Sequence, residues 1–377
     1  MKKIIVAGHI CIDITPVIPE KKGAGIEDIF TPGKLIQTGA AKVNAGGTVA
    51  NTGLALKVLG ADAALMGKVG YDDFGDMICN ILRKYDADQY MIRSAEVSSS
   101  YSVVLAVPGI DRIFLHNPGA NDTFCAADVD MSLLEGAAIF HFGYPPLMRT
   151  MYENEGAELV ALMQRVNEAG VATSLDMAAV DADSEAGKVN WDEVLKKVLP
   201  FVDFFVPSVE ELCFMLDRKR FAEWQERAGN RAITDVLDIE KDVKPLADRC
   251  MEYGAKVVLI KCGAPGMYYR TAGEKRLKQI GCTLGGGTAQ WAEQEGFEAS
   301  YIPERVLSGT GAGDTSIAAF LMAVSRGESL EDCLHMATAA GASCVTAYDA
   351  LGGLMPYEAL KQKVKSGWKK RPISFHA

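Results

Sequence analysis

The run from Gly309 to Val324 restricts the fold more than any other stretch. It opens with Gly309-Thr310-Gly311-Ala312-Gly313, and from Thr315 to Val324 it holds no glycine, proline or charge. This pattern predicts a glycine-rich turn feeding the N-terminus of a buried helix. The first amides of a helix have no partner within it and carry partial positive charge, so they form an anion site. Glycines let a phosphate reach that backbone with no Cβ in the way. Asp314 falls where the turn becomes the helix. A carboxylate there repels a phosphate that is merely bound. It fits a site where it takes a proton from an attacking hydroxyl while the amides hold the transferring phosphoryl group. A helix-capping Asp is the competing reading, and spacing alone does not separate the two.

The rest of the composition bounds the partners. The 377 residues are 49% hydrophobic and 23% charged, with a net charge of −10. Such a chain can bury a full core, and its acidity argues against a nucleic-acid or anionic-membrane partner. Nine cysteines without a Cys-x-x-Cys pair predict reduced thiols and a cytoplasmic location. The five histidines show no zinc spacing. No run predicts a signal sequence or a membrane span.

Along the chain, Ile4–Ala7 predicts a buried parallel strand ending at Gly8. Asp13 follows a few residues later, as a solvated turn residue or as a carboxylate accepting bonds from hydroxyls. Gly46 and Gly47 open a helical pattern that carries Asn51 and stops at Gly60. They are either a tight turn above a satisfied core Asn or a ligand-facing backbone. Gly67-Lys68 is not a P-loop, because Val69 stands where the Ser/Thr would be. Ser98–Leu115 predicts a hairpin around Pro108-Gly109-Ile110-Asp111, with Arg112 either solvated or facing the site. From Ala137 the chain alternates strand and helix, which predicts a mostly parallel sheet, and Asp176 ends one of its strands. Glu210 and Glu211 follow Pro207-Ser208 as first-turn acids. Lys261, Gly263 and Gly266 lie at a turn between strands, as plain hairpin chemistry or as a place where a ligand approaches.

Gly311-Ala312-Gly313-Asp314, with the small and apolar helix behind it, resembles the C-terminal signature of the ribokinase-like (PfkB) carbohydrate kinases. The Gly-Gly-x-x-x-Asn run at Gly46–Asn51, the element Gly70–Gly75, the Pro207–Glu211 motif and the Gly263–Gly266 turn resemble other motifs of that family, in the same order. The resemblance covers nearly the whole chain. It implies a three-layer α/β/α sandwich with a mostly parallel central sheet and a small β-sheet lid. It implies one domain over 1–377, with lid segments at about 14–43 and 98–121. It implies transfer of the γ-phosphate of Mg-ATP to a hydroxyl of a sugar-like molecule. Asp314 would be the base, and Gly311, Ala312 and Gly313 the anion hole. Asp13, Gly46, Gly47 and Asn51 would hold the substrate. Ser208, Glu211, Lys261, Gly263 and Gly266 would border ATP, and Glu211 would organise Mg2+. Residues 273–301 then read as an ordered excursion or flexible flap near the nucleotide.

Two departures stand out. Ser308-Gly309 replaces the family's leading Asp-Thr, which puts activation by K+ in doubt. Ser208 replaces an Asn. The alternatives are a nucleoside kinase of the same family, or a weakly catalytic protein that binds sugar or nucleotide. A homodimer through the lid edge would fit either kinase.

Overall fold

The computed structural model describes residues 2–18, 30–107 and 113–372. The apolar N-terminal run forms β1 (Lys3–Gly8), and β2 (Cys11–Thr15) turns away from it. After β3 (Lys42–Gly46) come α1 (Gly47–Leu59), β4 (Ala63–Met66), β5 (Lys68–Gly70), α2 (Asp73–Arg83), β6 (Ile92–Ser94), β7 (Tyr101–Leu105) and β8 (Ile113–Asn117). The middle of the chain gives β9 (Ala137–Gly143), α3 (Arg149–Glu168), β10 (Ala172–Asp176), α4 (Trp191–Val198), β11 (Phe204–Phe205), α5 (Val209–Leu216), α6 (Arg218–Ala228) and α7 (Lys244–Glu252). It closes with β12 (Val257–Lys261), β13 (Gly266–Thr271), β14 (Glu295–Ala299), α8 (Ala312–Ser325), α9 (Leu330–Cys344) and α10 (Tyr357–Lys365).

The main sheet has the order β14-β13-β12-β11-β10-β9-β1-β4. Every pairing from β12 to β4 is parallel, and β13 and β14 add an antiparallel edge. All seven residues of β9 are buried, as a strand covered on both faces requires. The crossovers put α1, α8 and α9, which pack on one another, on one face, and α3 and α4 on the other. A second sheet, β3-β2-β7-β8, stands apart as the lid. Its strands begin at Cys11 and end at Asn117, so the first lid segment starts earlier than residue 14 and runs to Gly46.

The direction of strand addition reverses between β1 and β9. In open α/β sheets the carboxyl ends at such a reversal form a crevice for ligands. Here Gly8 and Gly143 lie side by side at those ends. Gly8 has φ +129°, and a Cβ on it would lie 2.3 Å from the Gly143 carbonyl oxygen. A Cβ on Gly143 would lie 2.3 Å from Thr48 Oγ1 of α1. The two glycines thus let the first helix descend onto the strand ends.

Several expectations are refined. Between Val202 and Pro207 only Phe204–Phe205 forms a strand. Helix α3 is interrupted at Glu153–Gly156, where Asn154, Glu155 and Gly156 are left-handed. Residues 273–301 are no flap: they contribute β14, paired with β13, and bury Trp291. The hairpin turn at Pro108–Asp111 and Arg112 lie outside the described residues, while the strands expected on either side of it pair antiparallel.

At the opposite ends of the strands, Lys256 and Asp203 form a buried ion pair at 2.6 Å, with side chains 4% and 0% exposed. Asp203 Oδ2 also accepts from the Thr173 amide, at 3.0 Å. Replacing Lys256 by Met leaves this carboxylate without its cation, a loss of about 3–5 kcal/mol in stability. Urea unfolding of Lys256→Met checks it; a change under about 1 kcal/mol would show that the backbone donors alone satisfy the carboxylate.

Candidate active site

The glycine-rich turn does what its sequence requires. Gly311 is the N-cap of α8 in the left-handed region, φ 75°, and a Cβ there would lie 2.3 Å from Ala350 Cβ. The Ala312 amide donates to the Gly309 carbonyl at 3.2 Å, closing the turn, and the Thr315 amide donates to Gly311 at 2.9 Å. Ala312 therefore spends its amide within the turn, unlike the reading that aims it at an anion. Ser308 Oγ accepts from the Thr310 amide at 3.1 Å.

Asp314, 5% exposed, lies in the first turn of α8. Its carboxylate does not cap the helix. It points at neighbouring elements and accepts bonds from three side chains. Asn51 Nδ2 donates to Oδ2 at 3.1 Å, and Thr52 Oγ1 to Oδ1 at 3.3 Å, both from α1. The Tyr144 hydroxyl lies 2.7 and 2.8 Å from the two oxygens. Burial raises the Asp314 carboxyl above its ordinary range, and Lys261 with these donors opposes the shift. Desolvation, with Asp314 and Asp176 nearby, raises the Tyr144 phenol far above its own range, so it remains a donor.

Lys261 ends β12 and reaches Asp176 at the end of β10, with Nζ 2.7 and 2.6 Å from its two oxygens. Desolvation, with Glu211 and Asp314 acting in the same sense, pushes the Asp176 carboxyl up to about 7 despite Lys261. Burial alone would lower the Lys261 ammonium, but Asp176, Glu211 and Asp314 hold it above its ordinary range. Lys261 also runs beneath the glycine turn, since a Cβ on Gly313 would lie 3.3 Å from its Cδ. Ser208 and Glu211 form a reciprocal cap on α5: the Ser208 amide donates to Glu211 Oε2 at 2.9 Å, and the Glu211 amide to Ser208 Oγ at 3.3 Å. The first-turn role of Glu211 is thus present, in a place where its charge acts on Asp176 and Lys261.

The other glycines meet the protein itself. A Cβ on Gly46 would lie 2.1 Å from Asp13 Oδ2, and one on Gly47, φ +81°, 2.5 Å from His9 Nδ1. Gly263 has φ +65°, and Gly266, φ +146°, lies so close to β14 that a Cβ would come within 2.1 Å of the Glu298 carbonyl oxygen. The Cys262 amide closes that turn onto Gly266 at 2.8 Å. The hairpin reading therefore holds for both glycines, and both also line a cavity.

Two cavities meet at the turn. One, of about 800 Å³, opens under the lid and is lined by Asp13, Lys42, Asn44, Asn51 and Gly309. The other, of about 290 Å³, is lined by Lys261, Gly263, Gly266, Gly313 and again Gly309. Sequence reasoning does not find Tyr144, Thr52 or His9. Tyr144 has a local signal: it follows a strand end, precedes Pro145-Pro146 and takes a left-handed backbone, φ 67°. His9 is buried with neither ring nitrogen hydrogen-bonded among the described residues. Burial, helped by His116, lowers its pKa to about 3, so it is neutral.

A mostly parallel sheet with a separate lid, and a glycine-rich turn that borders two cavities and leads into a buried carboxylate, is the arrangement of the ribokinase fold. Solved structures agree on the fold. Ribokinase from Arabidopsis thaliana complexed with ribose and ATP superposes with a TM-score of 0.69 at 21% identity, over 97% of this chain and 99% of that one. Fructokinase with bound ATP from Xylella fastidiosa gives 0.70 at 17% identity, over 97% and 98%. Probable fructokinase-5 of Arabidopsis thaliana is 25% identical over 382 residues, 96% of either chain. The model of the pfkB family carbohydrate kinases matches residues 1–355, and the chain belongs to that family. It is accordingly a phosphotransferase with an alcohol group as acceptor. Among the described residues no helix is long and apolar enough to cross a membrane.

Proposed function

We propose that this kinase transfers the γ-phosphoryl group of Mg-ATP to a hydroxyl of a sugar or sugar-like molecule bound under the lid. The carrying observation is the position of the Gly309–Asp314 turn between the two cavities, with Gly309 lining both. The sugar occupies the cleft with Asp13 and Asn51, beside Gly46 and Gly47. The nucleotide occupies the cavity with Gly263, Gly266 and Lys261, its terminal phosphate at the N-terminus of α8. Asp314 takes the proton from the acceptor hydroxyl, and the amides of Gly311 and Gly313 face the charge that moves.

The donor set fits Mg-ATP. Gly313 leaves room that a side chain would fill, above the Lys261 ammonium. Magnesium takes one or two carboxylates together with phosphate oxygens. Glu211, whose charge acts on Asp176 and Lys261, is the carboxylate that would hold it. When bound, the ion supplies charge neutralisation between the phosphates. Ser308, bonded to Thr310, stands with Gly309 where the family has an Asp-Thr pair, which puts activation by K+ in doubt. Nine free cysteines suit a cytoplasmic enzyme, and the lid's edge strands β3 and β8 offer a surface for a second copy.

Coupled ADP release with Mg-ATP and a panel of pentoses, hexoses, keto-acid sugars and nucleosides, with and without K+, names the substrate. Against that substrate Asp314→Asn keeps ligand-induced thermal shifts and loses about 10²–10⁴-fold in kcat; unchanged turnover would remove Asp314 from the chemistry.

The pH dependence supplies a second check. A base whose pKa is raised must still lose its proton, so kcat/KM climbs along an acid limb lying above the ordinary carboxylate range. The Tyr144 bond favours the ionised Asp314 and so lowers its pKa. In Tyr144→Phe the carboxyl holds its proton to higher pH, and the limb moves up. A pH profile with the limb unmoved would show that Tyr144 does not act on the base.

A further inference from the structure

The family match ends at residue 355, yet the chain continues as an ordered strap that returns to the smaller cavity. Trp368 stacks on Tyr301 with ring centroids 4.9 Å apart, and its Nε1 donates to the Ile302 carbonyl at 2.7 Å. The Ile302 amide donates to Lys369 at 2.8 Å, and the Arg371 amide to Ser300 at 2.8 Å. Lys370 pairs with Glu298. Ser300 in turn donates its amide to Pro265, inside the turn between β12 and β13, at 2.9 Å. The strap is therefore fixed residue by residue along the segment that flanks the glycine turn.

This arrangement places Arg371 in the wall of the cavity that also holds Gly263, Gly266, Gly313 and Lys261. Two cations line that cavity, and they differ in kind. Lys261 is already matched by Asp176. The Arg371 guanidinium forms no ion pair or hydrogen bond among the described residues. Lys370 beside it is committed to Glu298, so the strap turns one cation to a protein carboxylate and leaves the next one open. In a chain with a net charge of −10, an unmatched guanidinium in a cavity wall is a site for an anionic ligand. Its planar fork of donors suits phosphate or ribose oxygens.

We infer that Arg371 is a nucleotide-binding residue, supplied by a C-terminal strap outside the family-matched segment, that contacts the polyphosphate or ribose of an adenine nucleotide. The inference rests on the assignment of this cavity to ATP. Arg371 is not at the transfer point, which Asp314, Asp176 and Lys261 mark. It contributes equally to the bound state and the transition state, so its loss raises KM and leaves kcat in place.

The test compares wild type, Arg371→Ala and Arg371→Lys in the full chain, by titration with ADP and by steady-state kinetics. Thermal unfolding shows that each variant is folded, and the partly exposed position makes retention of the wild-type midpoint the expected result. Arg371→Ala binds ADP about tenfold more weakly and raises KM for ATP to match, with kcat within about twofold. Arg371→Lys recovers part of the affinity, because the charge remains while the fork is lost. The ADP affinity also becomes less sensitive to salt in the Ala variant, which loss of packing alone would not produce. If wild type binds ADP and both variants bind it equally well, the inference fails and the nucleotide cavity stands. If wild type binds no adenine nucleotide, the assignment of the cavity falls and the inference falls with it.

Discussion

A carboxylate taken out of water has to be met by donors, and the structure depends on how Asp314 is met. Its three side-chain donors come from two places distant in the chain, α1 for Asn51 and Thr52 and the end of β9 for Tyr144. Each place is reached only because something close by is small. Gly143 lets α1 approach the strand ends, and Gly341 lets α9 pack on α8, where a Cβ would lie 2.4 Å from Ser316 Oγ. The Phe204–Phe320 contact, 5.7 Å between centroids, then fixes α8 to the sheet. Packing density and the hydrogen bonds of one carboxylate are therefore a single constraint. Loosening the helices would leave a charge buried without partners, which costs more than the weakened apolar packing itself.

A second layer of charge lies behind the first. Asp176, Glu211 and Asp314 cluster round the ammonium of Lys261; burial keeps the carboxyls of Asp176 and Asp314 above their ordinary range, Glu211 and Asp314 add to the shift of Asp176, and Lys261 opposes both. A site so arranged has an unmet demand for positive charge. On the proposed assignment, magnesium and the amides of the α8 N-terminus would meet it when a nucleotide binds, which would couple nucleotide binding to ionisation of Asp314. The strap that brings Arg371 adds a cation at the other wall, away from the base, where it can hold a nucleotide without forming a pair with Asp314.

Those parts of the fold and site that arise from local backbone demands are legible in the sequence. Gly311 needs a left-handed backbone, Gly60 needs one at the end of α1 with φ 95°, and the apolar run of β9 needs burial on both faces. These properties travel with a few adjacent residues. The partners do not. Asp176 can be placed at a strand end, but nothing near it in sequence points to Lys261, 85 residues away. Tyr144 meets Asp314 across 170 residues. Glu211 reads both as a helix-terminal acid and as a magnesium ligand, and the capping bond does not oppose the second role, since one oxygen takes the Ser208 amide and a carboxylate has two. Gly46 and Gly47 read in two ways. Their smallness suggests a ligand, and in the structure it lets Asp13 and His9 stand close against them. The break in α3, with its left-handed Asn154 and Glu155, has only Gly156 as a local sign.

The lid gives the remaining step. Its strands β2 and β3 carry Asp13 and Asn44 opposite one another, and β2 pairs on its other side with β7, so Asp13 lies at the centre of the small sheet. The same sheet carries His116 on β8 to within 5.3 Å of His9, whose ring lies 6.1 Å from that of Tyr144. Three rings thus run from the lid to the phenol that holds Asp314. Any movement of the lid over a bound sugar changes the surroundings of His116 first and of Tyr144 last. The lid and the carboxylate of Asp314 are therefore joined by a row of neighbouring side chains.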